Sequence, residues 1–154
     1  MKRLSNVLIA GDHSADLLFF TESLAKISDE GRVTQAKSGL ECMSFLKDGT
    51  KPDIIFLDLN MPGYNGLYCL KYIKSKPHLA NIPVIIYSTS HYIKDIDACF
   101  KNEAHYYIVK PASGDDLLHI LKQVMNNLNE NMQRPGKEKF VARVSSNVKS
   151  LHYF

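Results

Sequence analysis

Short runs of consecutive apolar residues alternate along the chain with longer segments in which apolar residues recur every three or four positions. Because strands that are buried on both faces of a sheet lack polar alternation, the short runs predict β-strands. The second run is more polar than the others and is predicted to lie at an edge of the sheet. The five predicted strands are Asn6–Ala10, Arg32–Lys37, Asp53–Leu57, Ile82–Tyr87 and Tyr106–Val109.

The longer segments predict five helices, three of which begin at residues that favour helix N-termini. Ser14 is predicted to cap the first helix, Ser38 and Glu41 form a capping box for the second, and Ser113 with Asp116 caps the fifth. The predicted helices follow Ser14 as far as the break at Gly31, Ser38 as far as Gly49, Gly66 to Ser75, Ile93 to Lys101, and Ser113 to Leu128.

Strands and helices therefore alternate five times, with connections of only a few residues. This alternation predicts an α/β protein with a parallel sheet, right-handed crossovers and helices on both faces. We adopt the flavodoxin-like strand order 2-1-3-4-5, which is one of the two common doubly wound orders. Ligands of such open sheets bind at the carboxyl ends of the strands, so the residues that follow each strand are the candidates for chemistry.

Four polar side chains follow four of the predicted strands: Asp12, Asp58, Ser88 and Lys110. A carboxylate can attack phosphorus as a nucleophile, and a second carboxylate can hold a hard cation such as Mg²⁺. A hydroxyl and an ammonium group can donate hydrogen bonds to phosphoryl oxygens as charge builds on them. Together the four strand ends predict phosphoryl transfer to a carboxylate.

Three motifs give the chain a specific resemblance to response-regulator receiver domains over about residues 4–128. They are Asp-Leu-Asn-Met-Pro-Gly at 58–63 with Gly66, Pro-Val-Ile-Ile-Tyr-Ser at 83–88, and Tyr-Ile-Val-Lys-Pro at 107–111, in family order and at family spacing. The segment at 72–84 is also similar to the stand-alone regulators that partner bacterial phytochromes.

The resemblance implies a role for each matching residue. Asp58 would be the phosphoacceptor, Lys110 would pair with the phosphoryl group, and the Lys110–Pro111 peptide bond would be cis. Mg²⁺ would be held by Asp12, Asp58 and the backbone carbonyl of Asn60. Ser88 would follow the phosphoryl group inward and Tyr107 would change rotamer with it, although permanent packing of the Tyr107 ring is an equal alternative.

The sequence departs from the family pattern at three positions. Gly11 stands where most receivers have an acidic residue, Thr89 replaces a residue that is usually small, and Glu103 occupies a position that is often glycine. The first departure removes a carboxylate that would hold the metal through water. Asp16 lies one helical turn beyond Asp12 and is the candidate for an auxiliary acid.

Composition and charge divide the chain into a receiver domain at 1–130 and a basic tail at 131–154. The tail carries five basic residues against one acidic residue, whereas the whole chain of 154 residues has a formal charge of +3. We expect the tail to be flexible, with 140–144 as a possible short strand or partner contact. No apolar run approaches the ~20 residues that would span a bilayer, and a signal peptide is not expected. Three scattered cysteines suggest reduced thiols and a cytoplasmic location.

The expected function is phosphorelay signalling through protein–protein contacts, with a sensor histidine kinase or a histidine phosphotransfer protein as donor. The expected output surface combines helix 4, strand 5 and helix 5, which could also form a homodimer; specific DNA binding is not expected. Gly11 supports one alternative, a degenerate receiver that acts as a phosphorylation-independent interaction module. A flavin-binding electron carrier of similar topology is disfavoured because no Ser/Thr/Gly-rich phosphate loop follows the first strand.

Overall fold

A computed structural model describes residues 4–27 and 31–144 of the chain. Within these ranges five strands and five α-helices alternate, followed by one turn of 3₁₀ helix, Lys137–Lys139. The elements are β1 Asn6–Ala10, α1 Ser14–Ala25, β2 Arg32–Ala36, α2 Gly39–Lys47, β3 Ile54–Leu57, α3 Gly66–Ser75, β4 Val84–Ser88, α4 Ile93–Lys101, β5 Tyr106–Val109 and α5 Gly114–Glu130.

The strands form one parallel sheet in the order β2-β1-β3-β4-β5, which confirms the predicted fold class. Strands β3 and β4 lie inside the sheet and are buried along their whole length, as their unbroken apolar sequences predict. Strand β2 is at the edge and is partly exposed, in agreement with its more polar sequence.

Two of the three predicted helix caps are present. The side chains of Ser38 and Ser113 accept hydrogen bonds from the backbone N–H groups of Glu41 and Asp116. The prediction for Ser14 was wrong by one residue: Ser14 is already helical, and His13 occupies the N-cap position without a side-chain bond.

The helices bury two apolar clusters, one on each face of the sheet. Helices α2, α3 and α4 cover one face, and helices α1 and α5 cover the other. All three cysteines are buried free thiols in the first cluster. Among the described residues, no helix is both long and apolar enough to cross a bilayer.

The predicted flexible tail is contradicted for residues 131–144, which we call the C-terminal segment. Phe140 is 1% exposed, and Val141 forms a parallel bridge with Tyr107 on the outer edge of β5. The prediction weighed the basic charge of this stretch and gave too little weight to its apolar residues, which cover an unpaired strand edge. Residues 145–154, the rest of the predicted tail, lie outside the described residues.

Candidate functional site

Asp58 lies directly after β3, at the carboxyl end of the centre of the sheet. Its backbone N–H donates to Ala10 of β1, and its side chain is 7% exposed. The loop that follows folds back closely, since a Cβ atom at Gly66 would lie 2.2 Å from the carbonyl oxygen of Asp58. Only glycine allows α3 to begin this close to the strand end, so Gly66 helps to fix the position of the carboxylate.

Lys110 binds two carboxylates at once. Its Nζ lies 2.6 Å from Oδ2 of Asp58 and 2.9 Å from Oδ2 of Asp16, and its own side chain is 8% exposed. Burial alone would lower the pKa of Lys110, but the hydrogen bonds and charges of Asp58 and Asp16 outweigh it and raise this pKa above the ordinary value. The ammonium group therefore stays charged and balances a carboxylate that would otherwise be buried without a cation.

Asp16 lies in the site, where its side chain pairs with Lys110. Sequence reasoning selected Asp16 for its position one turn beyond Asp12 and did not predict its lysine partner, which is 94 residues away in the chain. The ring of Tyr87 completes this side of the site, with its centroid 5.2 Å from Lys110 Nζ. Burial, followed by the charges of Asp16 and Asp58, raises the pKa of Tyr87, so its hydroxyl stays neutral.

The predicted metal ligands provide hard oxygen donors. Asp12 is partly exposed and lies near His13, with 3.6 Å between Oδ1 and Nε2, and Asp58 Oδ1 accepts a hydrogen bond from the backbone N–H of Asn60. Two carboxylates and a carbonyl are the donor types that Mg²⁺ prefers, and Mg²⁺ usually keeps several waters. The residues present thus fit this ion, although the described chain contains no cluster of three or more His, Cys, Asp or Glu side chains that could hold a metal.

Gly11 lies beside Asp58 and leaves room for a side chain. A Cβ atom at Gly11 would be 3.6 Å from Asp58 Cβ and 3.8 Å from Asp58 Oδ2, which are ordinary contact distances. The position therefore does not require glycine for packing. The absence of an acidic side chain at this position therefore changes the chemistry of the site, and the contacts of a Cβ atom do not explain it.

Ser88 and Tyr107 are connected through Ser90. The backbone N–H of Ser90 donates to Ser88 Oγ at 3.1 Å, and the Tyr107 hydroxyl donates to the Ser90 carbonyl at 2.8 Å. Tyr107 is fully buried, and burial is the main reason that its pKa is raised to about 12. The sequence did not predict that Ser90 links these two residues. Its place in the polar run at 88–90 was the only signal.

Two further features of the sequence, Glu103 and the peptide bond before Pro111, can be compared with the structure. Glu103 has a φ of 71°, a left-handed conformation that explains why this position often carries glycine in the family. The resemblance implied a cis peptide bond before Pro111. This prediction was wrong, because every described peptide bond is trans. The structure offers no physical reason for that difference.

A parallel sheet of this order with Asp58 and Lys110 paired at its carboxyl edge is the arrangement of a receiver domain. The chain belongs to the response regulator receiver domain family, whose sequence model matches residues 7–122. This confirms the resemblance inferred from the three motifs.

Phytochrome-associated regulators are among the similar proteins. The response regulator Rcp1 of Synechocystis sp. is 29% identical over 124 residues, which span 77% of this chain and 84% of that protein. The crystal structure of the phosphorylated cyanobacterial phytochrome response regulator RcpA has 31% identity and a TM-score of 0.71 over 82% of this chain and 91% of its own. The Mn²⁺-bound form of Rcp1 has 29% identity and a TM-score of 0.73 over 86% and 99% of the two chains.

Proposed function

We propose that the protein accepts a phosphoryl group on Asp58 from a phosphohistidine, in the cytoplasm, and passes the signal on through protein–protein contacts. The donor would be a sensor histidine kinase or a histidine phosphotransfer protein. The observation that carries the proposal is the 2.6 Å contact between Lys110 and Asp58, two nearly buried charges at the carboxyl end of the central strand. A nucleophilic carboxylate and a cation for the incoming oxygens are the minimum for phosphoryl transfer.

In this reaction a carboxylate oxygen of Asp58 forms a bond to phosphorus while the bond from phosphorus to the donor imidazole nitrogen breaks. Lys110 donates to the phosphoryl oxygens, and Asp16 keeps Lys110 charged and in place when Asp58 becomes engaged. When bound by Asp12, Asp58 and the Asn60 carbonyl, Mg²⁺ would neutralise charge on the phosphoryl oxygens. Asp16 is thus a positioning residue as well as an auxiliary acid.

The proposed conformational output begins at Ser88 and ends at Tyr107. Ser88 would shift toward the phosphoryl group, and its hydrogen-bonded neighbour Ser90 would change the acceptor that holds the Tyr107 hydroxyl. Such a shift of population would alter the face built from α4, β5 and α5. A homodimer through this face would require the C-terminal segment to leave the β5 edge, where Val141 is bound.

A second candidate function is a degenerate receiver that works as a constitutive interaction module. Gly11 favours this alternative, since it leaves the metal position with one carboxylate fewer than most receivers have. An exposed aromatic pair at the start of α3 would suit either function: the rings of Tyr64 and Tyr68 stack with centroids 4.4 Å apart. Phosphorylation decides between the two functions.

The test is incubation with Mg²⁺ and acetyl phosphate, followed by intact mass measurement. We expect the wild type to gain one base-labile phosphoryl group and Asp58→Asn to gain none, because the variant lacks the nucleophile. Asp48→Asn, which changes an exposed carboxylate at the end of α2, is the matched control and should react like the wild type. An unmodified wild type alongside a reactive control receiver would favour the interaction module instead.

A further inference from the structure

A cleft lies at the amino end of the sheet, at the other end of the strands from Asp58 and Lys110. Its walls come from the end of α3 and the connection to β4, from the turn before β5, and from the first residues of the C-terminal segment. The cleft has a volume of about 640 Å³, which is the size of pockets that hold small organic molecules. Three amide side chains line it: Asn81, Asn131 and Gln133.

Two cations, Lys74 and Arg134, line the same cleft, and both bind backbone carbonyls. Lys74 Nζ donates to two carbonyls at 3.0 and 2.9 Å, and the Arg134 guanidinium donates to two others at 2.9 and 2.6 Å. Among the described residues neither cation forms an ion pair, and Glu103 lines the cleft without pairing with either one. Carbonyl oxygens accept hydrogen bonds but carry no net charge, so no ion pair balances the positive charge of the cleft.

Both cations have N–H groups to spare. An ammonium group has three N–H donors and a guanidinium group has five. Lys74 and Arg134 each use two of them for carbonyls, which leaves one on Lys74 and three on Arg134. An anion in the cleft can therefore bind both side chains while their bonds to the backbone stay intact.

Lys74 and Lys110 are both partly buried, but their pKa values move in opposite directions. Against the effect of burial, the hydrogen bonds and charges of two carboxylates raise the pKa of Lys110. Burial is the main reason that the pKa of Lys74 is lowered to about 8; the charge of Glu103 opposes this change and the charge of Arg134 adds to it. Carbonyl partners thus do not replace a carboxylate, and the cleft lacks negative charge.

We propose that this cleft binds a small organic anion, whose acidic group pairs with Lys74 and Arg134 and whose polar remainder contacts the three amide side chains. The acidic group is a carboxylate or a phosphate monoester, because a guanidinium group recognises both with pairs of N–H donors. The site is independent of the phosphoryl transfer proposed for Asp58. Since Lys74 belongs to α3 and Arg134 to the C-terminal segment, the bound anion would join the segment to the domain.

An NMR titration of the full chain, without Mg²⁺ and at constant ionic strength, tests the site. The probes are succinate and glycerol phosphate, and their neutral analogues, succinamide and glycerol, are the controls. We expect the amide signals of Asn81, Asn131 and Gln133 to shift saturably with at least one of the two acids and not with the neutral analogues.

Saturation by one acid alone would support the site and show which acidic group it takes. The proposal would be overturned by the absence of saturable shifts with both acids, by equal shifts with the neutral analogues, or by shifts confined to the amides around Asp58.

Variants of the two cations test their assignment as ligands. Arg134→Gln and Lys74→Gln each remove a charge, Arg134→Lys keeps it, and Lys71→Gln changes an exposed lysine one turn earlier on α3 as the matched control. We expect the first two to weaken binding of the acidic probe by about tenfold or more, because each lost contact is a charged hydrogen bond. Arg134→Lys should retain part of the affinity, and Lys71→Gln should bind like the wild type.

Should Lys74→Gln fail to fold without its two backbone bonds, the variants of Arg134 decide alone. Equal affinities of Arg134→Gln and Lys71→Gln would contradict the proposal.

The charge of Lys74 provides a separate readout. Because its pKa is lowered to about 8, most of the ammonium is protonated at pH 7 and most is neutral at pH 9. Both acidic probes are almost fully ionised over this range. The other titratable groups that line the cleft are Glu103, His105 and Arg134, and none of them changes its charge between these pH values. We expect the affinity to fall several-fold from pH 7 to pH 9, and a constant affinity would show that Lys74 is not a ligand.

Discussion

Charged side chains lie at both ends of the same sheet, but they have different kinds of partner. At the carboxyl end, Asp58, Asp16 and Lys110 balance one another. At the amino end, Asp53 accepts hydrogen bonds from the backbone N–H groups of Ser5 and Asn6 at 3.2 and 2.9 Å, and Lys74 donates to the carbonyls of Ala80 and Ile82 at 3.0 and 2.9 Å. The charge of Lys110 is thus balanced by side chains at the carboxyl end, whereas Asp53 and Lys74 bind several backbone groups at the amino end.

This difference is what the proposed function requires, because a reacting site needs partners that can be exchanged and a supporting contact does not. Backbone partners are fixed by the strands and turns that carry them, so Asp53 cannot exchange them without local unfolding. Lys110 is joined to Asp58 only by side-chain contacts, and under the proposed function it would turn toward a phosphoryl oxygen while it stays bound to Asp16. The comparison predicts that substitutions at the amino end change stability, whereas those at the carboxyl end change chemistry.

The largest expected effect comes from the two acids that flank β3. Asp53→Ala leaves two backbone N–H groups without their acceptor and should lower the free energy of unfolding by about 3 kcal/mol. Asp58→Ala should cost less than half of that, because Lys110 keeps Asp16. Urea unfolding at neutral pH measures both, with Asp48→Ala as an exposed-carboxylate control. A larger loss for Asp58→Ala than for Asp53→Ala would refute the contrast between the two ends.

The second effect concerns metal affinity at the carboxyl end. Gly11→Asp adds a carboxylate where a Cβ atom fits, and it should tighten Mg²⁺ binding by about ten- to a hundredfold and speed phosphorylation. Asp16→Asn should weaken both, because Lys110 would then be held by Asp58 alone and would compete more strongly for its oxygens. Mg²⁺ titrations followed by tyrosine fluorescence or NMR compare the two variants with the wild type.

Without metal, Gly11→Asp should be slightly less stable than the wild type, since the new charge lies close to Asp58. If the affinities of Gly11→Asp and the wild type were equal, the number of acids at this strand end would not limit Mg²⁺ binding. The main support for a degenerate site would then be lost.

A smaller effect, the dependence of stability on pH, tests the amino end of the sheet. His105, 6% exposed at the start of β5, has its ring Nε2 3.2 Å from the Met132 carbonyl, and burial, aided by the charge of Lys74, lowers its pKa to about 4. Between about pH 4 and 6.5 the unfolded chain binds a proton that the folded His105 does not, so stability rises with pH in this window.

We therefore expect the wild type to lose about 2 kcal/mol more than His105→Gln between pH 7 and pH 5. Glutamine can still donate to Met132 but does not titrate. Urea unfolding at the two pH values measures the difference between the proteins, in which the carboxylates common to both cancel. Parallel losses would show that His105 is not the group responsible.

Local sequence determined the elements and the residues at the strand ends. Unbroken apolar runs are buried on both sides only inside a covered sheet, so the strands could be predicted from the local sequence. The caps formed by Ser38 and Ser113 could be predicted as well, because each serine binds a backbone N–H group of its own helix. Asp58 and Lys110 were selected because parallel strands bring their carboxyl ends to one edge of the sheet. In the structure these two side chains are paired at 2.6 Å.

Tertiary structure alone decided the second partner of Lys110 and the place of the C-terminal segment. Asp16 and Lys110 are 94 residues apart, and nothing in the local sequence of either one indicates the other. The segment at 131–144 combines basic residues with a short, mostly apolar stretch at 140–144, and its local sequence does not indicate what that stretch contacts. Phe140 and Val141 are ordered because β5 leaves one edge unpaired and α4 offers Phe100 beside it, and such a vacancy exists only after the sheet has formed.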